Sequence, residues 1–207
     1  MLVNAFVPAM ILLASTSLPA KEPVRILVLG DSLAAGFGLA APDSFPAKLE
    51  AGLKAVGIAA TVINGGVSGE TTAGGLARLS WMLDGAKADA VIVELGANDG
   101  LRGQDPRATR ANLDTILARL RARNLPVLLA GMRAPPNLGP EFGAGFEALY
   151  PELARKHDAV LYPFFLDGVA AVPELNQDDR IHPNARGVDV IVQRILPFVR
   201  TLLLRVR

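Results

Sequence analysis

Residues 24–33 read VRILVLGDSL, an apolar run that ends in a glycine followed by two small polar residues. Five aliphatic residues in so short a stretch, bounded by glycine, predict a buried strand over Val24–Leu29. Nearly continuous apolar character is typical of strands in a parallel sheet that is covered by helices on both faces. The stretch therefore predicts an α/β fold in which Asp31 and Ser32 directly follow the first strand.

Four more short apolar runs predict further strands, at Ala60–Ile63, Ala90–Leu95, Val127–Ala130 and Ala159–Tyr162. Apolar residues at helical spacing predict helices over Ser44–Val56, from Thr71 or Thr72 onward, and over Pro106–Arg123, Phe142–Lys156 and Gly187–Leu204. Alternating strands and helices indicate βαβ units and a parallel sheet. We therefore expect one domain over residues 21–207, a three-layer α/β/α sandwich with a five-stranded, mainly parallel sheet.

The composition excludes several classes of protein. The chain has 207 residues, of which 51% are apolar, with 21 basic and 20 acidic side chains. This balance argues against disorder, and the lack of a basic stripe argues against a nucleic-acid partner. The chain has no cysteine, which excludes disulfides, thiolate metal sites and cysteine nucleophiles. No obligate protein partner is indicated by the sequence.

The first 20 residues carry no charge, and the segment from Leu2 to Leu13 is largely apolar. This segment is too short to span a bilayer comfortably but fits the apolar region of a secretory signal peptide. We expect residues 1–20 to be a signal peptide cleaved after Ala20, and the protein to be periplasmic or secreted. Because the positively charged start is missing and Leu18 is bulky for its position, a cytoplasmic location is the alternative.

Ser32 is a candidate nucleophile, because ligands of such sheets bind beyond the carboxyl ends of the strands. Its hydroxyl needs a base, and the chain has only two histidines, His157 and His182. Asp179 precedes His182 by three residues, so its carboxylate can bind one ring nitrogen and leave the other facing the serine. His157 follows two basic residues at the end of a predicted helix, which is typical of a structural histidine.

Two other residues beyond predicted strands could stabilise an oxyanion. Gly69 could present a backbone N–H, because glycine permits positive φ and close approach. Asn98 could add a neutral amide donor. Taken singly, each of these residues could equally serve only its own turn.

Four blocks of the chain resemble those of the SGNH (GDSL) hydrolase family: Gly30-Asp31-Ser32-Leu33, Asn64-Gly65-Gly66-Val67-Ser68-Gly69, Gly96-Ala97-Asn98-Asp99 and Asp179-Arg180-Ile181-His182-Pro183. The resemblance covers nearly everything from Val24 onward. Two longer stretches, residues 68–72 and 98–103, are similar to the branch of periplasmic esterases that includes thioesterase/lysophospholipase and arylesterase enzymes.

The resemblance implies a flavodoxin-like SGNH hydrolase fold and a serine esterase that needs no metal or organic cofactor. It implies Ser32 as nucleophile, His182 as general base and acid, and Asp179 as the residue that orients His182. The N–H groups of Ser32 and Gly69 and the Asn98 amide would form the oxyanion hole. The expected substrates are small-molecule carboxylic esters or thioesters with an apolar acyl group. Aryl and short- to medium-chain esters come first, and lysophospholipids are a further candidate class.

Apolar residues in two loops are candidates for the acyl-binding wall. Leu101 follows Asn98, and Met132, Pro135 and Leu138 follow the fourth predicted strand. The alternative is that these loops merely connect their elements.

Three other functions remain open at this point. A sugar O-deacetylase on the same fold would differ only in substrate. A non-catalytic flavodoxin-like domain would bind a ligand without using Ser32. The third is an α/β-hydrolase, because residues 30–34 are similar to the G-x-S-x-G nucleophile motif of that fold. This alternative is disfavoured because the serine follows the first strand and the acid lies only three residues before the histidine.

Overall fold

The computed structural model of the protein describes residues 22–206, so the predicted signal peptide lies outside the described residues. Its sheet has five strands, β1 Val24–Gly30, β2 Ala60–Gly66, β3 Ala90–Glu94, β4 Val127–Ala130 and β5 Val160–Tyr162. All neighbouring strands pair in parallel, in the order β2-β1-β3-β4-β5. Strand β2 lies on one side of β1, and β3 with the later strands lies on the other side. This reversal of strand order places a crevice beyond the carboxyl ends of β1 and β3.

Seven helices cover the described sheet: α1 Ser32–Ala35, α2 Phe45–Ala55, α3 Thr72–Ala86, α4 Ala97–Leu101, α5 Pro106–Ala122, α6 Pro140–His157 and α7 Ala185–Leu203. Helices α2 and α7 pack together on one face, and α3, α5 and α6 pack on the other. The predicted three-layer sandwich is therefore confirmed. Within residues 22–206 no helix is long and apolar enough to cross a membrane.

Strand β2 extends beyond its predicted end at Ile63. It continues to Gly66, which is in register with Gly30 at the end of β1. A Cβ atom at Gly66 would lie 2.2 Å from the backbone nitrogen of Ala35. Glycine therefore lets α1, which begins at Ser32, pack closely against the end of β2.

Candidate active site

Three of the predicted site residues lie in one chain of hydrogen bonds. Ser32 is the first residue of α1, directly after β1, whereas Asp179 and His182 lie in the loop before α7. The Nε2 atom of His182 is 2.9 Å from Oγ of Ser32, and its Nδ1 atom is 2.6 Å from Oδ2 of Asp179. This arrangement can remove the serine proton during attack on an electrophile.

The loop around His182 is built so that Asp179 stays ionised. Its Oδ1 atom accepts the backbone N–H groups of His182 at 3.0 Å and of Ile181 at 2.9 Å. These hydrogen bonds, with a further contribution from the imidazole of His182, lower the pKa of Asp179 to about 2. The charged carboxylate accepts a hydrogen bond from the protonated Nδ1 of His182, which keeps the lone pair on Nε2, so that Nε2 can act as the base.

The imidazole of His182 is also held from the side. The ring of Phe37 lies 4.6 Å from it, centroid to centroid. The Gln177 amide donates to the carbonyls of Phe37 at 2.7 Å and Pro183 at 3.0 Å, which ties the loop after α1 to the histidine loop. The sequence carries no pattern that predicts the contacts of Phe37 with His182 and Gln177, because these contacts join loops that are distant in the chain.

Two backbone donors beside the nucleophile have no acceptor. The N–H groups of Ser32 and Gly69 donate to no other group within residues 22–206. Gly69 has a φ of +78°, in the left-handed region that favours glycine. Its loop is fixed by the N–H of Val67, which donates to the Gly30 carbonyl at 3.1 Å, and by Arg102, which donates to the Gly69 carbonyl at 3.0 Å. Unpaired N–H groups beside a nucleophile can serve as oxyanion donors.

The third predicted donor, Asn98, is positioned next to the nucleophile turn but is engaged elsewhere. Its amide nitrogen donates to Oδ2 of Asp31 at 3.1 Å and to the Glu70 carbonyl at 2.9 Å. An amide NH₂ group has two hydrogens, so both are used. Donation to an oxyanion therefore requires one of these hydrogen bonds to be exchanged.

A pair of buried carboxyl groups lies beneath the nucleophile. Oδ1 of Asp31 accepts the N–H of Leu33 at 2.9 Å and caps α1, while Oε2 of Glu94 accepts the N–H of Asp31 at 3.2 Å. Both side chains are fully buried, and Oε1 of Glu94 has no partner among the described residues. Burial, together with the nearby charge of Asp31, raises the pKa of Glu94 well above its usual range. The neutral form of Glu94 is therefore favoured over the charged form relative to an exposed glutamate. The sequence marks this buried carboxyl group only by a single acidic residue near the end of the apolar run 90–95.

The raised pKa of Glu94 predicts how the stability of the protein depends on pH. A carboxyl group whose pKa is raised in the folded state contributes fully below its unfolded pKa and loses that contribution as pH rises. Each pH unit above the unfolded pKa costs about 1.4 kcal/mol for one retained proton. Because glutamine does not titrate, we expect the free energy of unfolding of Glu94→Gln, relative to wild type, to rise between roughly pH 5 and pH 7, by no more than this slope. Denaturant titrations across this range measure it, and parallel pH profiles for the two proteins would contradict it.

An apolar cavity of about 510 Å³ opens beside Ser32 and His182. The predicted residues Leu101, Met132 and Pro135 line it. Leu138 is not among the residues that line it. It ends the short 3₁₀ turn Pro136–Leu138, and its Cδ2 atom packs toward Gly103 instead. A short turn changes side-chain direction at every residue, so an apolar loop in the sequence does not show which side chains face a cavity.

His157 lies away from this site. It is the last residue of α6, at the opposite edge of the sheet, and its Nε2 atom is 2.6 Å from Oδ1 of Asp114. Asp114 also binds Lys156. Within residues 22–206, no group of three or more histidine, aspartate or glutamate side chains is arranged to hold a metal ion.

Comparisons with known proteins match the chain to one family of hydrolases. Residues 28–190 match the model of the GDSL-like lipase/acylhydrolase family. The chain is 40% identical to an arylesterase of Vibrio mimicus over 175 residues, which is 84% of this chain and 88% of that protein. It is 42% identical over 159 residues to the thioesterase 1/protease 1/lysophospholipase L1 of Escherichia coli K12, which is 77% of this chain and 75% of that protein.

Two solved structures are similar over nearly their whole length. The crystal structure of TesA superposes with a TM-score of 0.82 at 38% identity, covering 86% of this chain and 98% of TesA. AlinE4, an SGNH-hydrolase family esterase, superposes with a TM-score of 0.75 at 50% identity, covering 88% of this chain and 98% of AlinE4.

Proposed function

The chain belongs to the GDSL-like lipase/acylhydrolase family and is a carboxylic ester hydrolase, and we propose that Ser32, His182 and Asp179 are its catalytic residues. The observation that carries this assignment is the continuous hydrogen-bonded chain from Asp179 through His182 to Oγ of Ser32, at 2.6 and 2.9 Å. Asp179 and His182 lie about 150 residues from Ser32, so only the fold brings these groups together.

The proposed reaction has two steps that use the same base. Nε2 of His182 takes the proton of Ser32 as Oγ attacks the ester carbonyl carbon, and the carbonyl oxygen becomes an oxyanion. His182 then gives the proton to the leaving alcohol or thiol, and an acyl group remains on Ser32. In the second step Nε2 of His182 takes a proton from water as the water oxygen attacks the acyl carbon. His182 then returns this proton to Oγ of Ser32 as the bond between Oγ and the acyl carbon breaks, which releases the carboxylic acid and restores the free serine.

We propose that Ser32 N–H, Gly69 N–H and the Asn98 amide bind the oxyanion. The two unpaired N–H groups support the first two assignments. Asn98 is held between Asp31 and Glu70, next to the nucleophile turn, and in the proposed reaction its amide exchanges one of these two hydrogen bonds for the oxyanion. A donor that is prearranged for the transition state contributes to kcat more than to KM.

Replacing Asn98 with alanine is therefore expected to lower kcat by roughly 100- to 1,000-fold with a small change in KM. Steady-state kinetics on a 4-nitrophenyl ester measure it. Asn112→Ala is the matched control, because it too removes an amide that donates a hydrogen bond, here to the Thr72 hydroxyl at 3.0 Å, but from a position on α5. A kcat for Asn98→Ala within a few fold of that of the control would refute the oxyanion role.

We propose that the substrates are esters or thioesters with an apolar acyl group, from aryl and short- to medium-chain esters to lysophospholipids. The apolar lining of the 510 Å³ cavity beside Ser32 supports this class, as do the activities named for the relatives. Hydrolysis of 4-nitrophenyl esters from acetate to palmitate, with Ser32→Ala as control, tests it.

We expect the highest kcat/KM at a short or medium chain and no activity in Ser32→Ala. A sharp optimum at acetate, with release of acetate from O-acetylated sugars, would favour the sugar O-deacetylase instead. Equal activity in Ser32→Ala would contradict the assignment of the nucleophile.

We also propose that residues 1–20 direct export and are removed, giving a periplasmic or secreted enzyme. The uncharged, apolar composition of this segment supports the proposal. Fractionation of expressing cells with N-terminal sequencing tests it. Mature protein that begins at Lys21 outside the cytoplasm is expected, and cytoplasmic protein that retains Met1 would contradict it.

A further inference from the structure

Arg180 has an unusual backbone conformation for its residue type. It lies between Asp179 and His182 with a φ of +60°, in the left-handed region. Its N–H donates to the Gln177 carbonyl at 2.9 Å, which closes the turn that carries the histidine. Glycine adopts this conformation without a steric penalty, whereas a residue with a Cβ atom adopts it only at a cost in free energy. A strained position next to a catalytic residue suggests that the side chain itself is used.

The guanidinium group of Arg180 has no partner within residues 22–206. It is exposed at the mouth of the cavity, beside Ile181 and His182. Both oxygens of the adjacent Asp179 are already engaged by His182 and Ile181. Many other arginines of the described chain pair with a carboxylate: Arg78, Arg107, Arg110, Arg123, Arg194 and Arg205.

A second arginine lines the same cavity. Arg133 follows β4, its guanidinium lies 4.5 Å from the ring centroid of Phe164, and its Nε atom is 3.7 Å from a carboxylate oxygen of Glu147. The lining contains these two guanidinium groups and no aspartate or glutamate. The cavity therefore combines apolar walls with two guanidinium groups, of which Arg133 is paired with Glu147 and Arg180 has no carboxylate partner within residues 22–206.

We propose that Arg180, assisted by Arg133, determines specificity by binding an anionic group, a carboxylate or a phosphate, on the ester that Ser32 attacks. The planar guanidinium fork matches both anions and can bind them with two hydrogen bonds. The preferred substrates are then amphiphilic esters that join an apolar chain to a negative charge. This proposal rests on the proposed esterase function and narrows its substrate class.

Matched pairs of neutral and anionic esters test the proposal. One pair places the charge in the acyl part, with 4-nitrophenyl pentanoate against mono-4-nitrophenyl glutarate. The other places it in the leaving group, with 4-carbamoylphenyl butyrate against 4-carboxyphenyl butyrate. For at least one pair we expect Arg180→Gln to lower the anionic-to-neutral ratio of kcat/KM by about tenfold, mainly through KM.

The matched control is Arg119→Gln, which removes the same charge from an exposed position on α5 outside the cavity lining. It is expected to leave both ratios unchanged. The pair that responds identifies which part of the substrate carries the anion. If neither ratio falls below that of the control, the proposal is wrong. Wild-type protein that hydrolyses none of the four esters would contradict the esterase function itself, and this proposal with it.

The variant Arg180→Gly separates binding from a structural role. Because glycine relieves the left-handed strain, we expect its unfolding temperature to be no lower than that of the wild type. For the ester pair that responds to Arg180→Gln, the anionic-to-neutral ratio of kcat/KM should fall in Arg180→Gly by a similar factor. A lower unfolding temperature together with an unchanged ratio would show that Arg180 supports the loop and does not bind substrate.

Discussion

Replacing His182 with alanine is expected to lower kcat by roughly 10⁴- to 10⁶-fold, because the serine hydroxyl loses its base. Within residues 22–206, the only side chain that hydrogen-bonds Oγ of Ser32 is His182. A serine hydroxyl is a weak nucleophile at neutral pH unless a neighbouring group removes its proton. A kcat lowered this far can be measured with an activated aryl ester, at high enzyme concentration and over long incubation times.

His157→Ala is the natural control for this variant. The chain has two histidines, and each has a ring nitrogen 2.6 Å from an aspartate oxygen. The partner of His157 is Asp114, far from Ser32, so its loss should change kcat by no more than about twofold. Comparable losses of kcat in the two variants, with both folded by circular dichroism, would rule out His182 as the specific base.

Asp179→Asn is expected to cost about 10⁴-fold in kcat with little change in KM. An asparagine amide would donate to Nδ1 of His182, which forces the ring proton onto Nε2, the atom that faces Ser32. The ring then has no lone pair for the serine proton. The low pKa of Asp179, about 2, means that the wild-type carboxylate holds the productive tautomer throughout the neutral range.

The adjacent Asp178 provides a matched control, because it is exposed and forms no ion pair within residues 22–206. Asp178→Asn should retain kcat within about twofold, while it removes the same charge from the same loop. Should Asp179→Asn keep more than about a tenth of the wild-type kcat, the orienting role of Asp179 would be wrong.

The sheet could be predicted from the sequence because its strands are apolar on both faces. Runs such as Val24–Leu29 and Ala90–Leu95 have few polar interruptions, and small residues mark their ends. In a parallel sheet those ends share one edge, so the approximate place of Ser32 follows from the strand pattern alone. Helices α1 and α4 were missed because four or five residues do not establish a helical period.

What the sequence could not predict depends on side-chain direction and on contacts between distant segments. Leu138 is as apolar as Met132, yet Met132 lines the cavity and Leu138, at the end of a 3₁₀ turn, does not. The engagement of the Asn98 amide by Asp31 and Glu70 joins three separate loops. The left-handed conformation of Arg180 likewise has no signal in the sequence, because the residue itself disfavours it.

The pairing of Ser32 with His182 and Asp179 separates the functions that the sequence left open. A non-catalytic ligand-binding domain does not require a serine aligned with a base and a charged carboxylate. The sugar O-deacetylase shares the triad and differs in the acyl site, where the apolar cavity favours a longer chain than acetyl. The buried Glu94 accepts the N–H of Asp31 and so supports the nucleophile turn, which is a contribution of the fold and not of the triad.

Covalent labelling by a fluorophosphonate tests the central claim, that Ser32 is an activated nucleophile, most directly. The protein would be treated with the reagent and the modified residue located by peptide mass spectrometry. We predict a single phosphonyl adduct on Ser32, formed at a rate that His182→Ala slows sharply and His157→Ala does not. An adduct on another serine, or an active enzyme that carries no adduct on Ser32, would contradict the account.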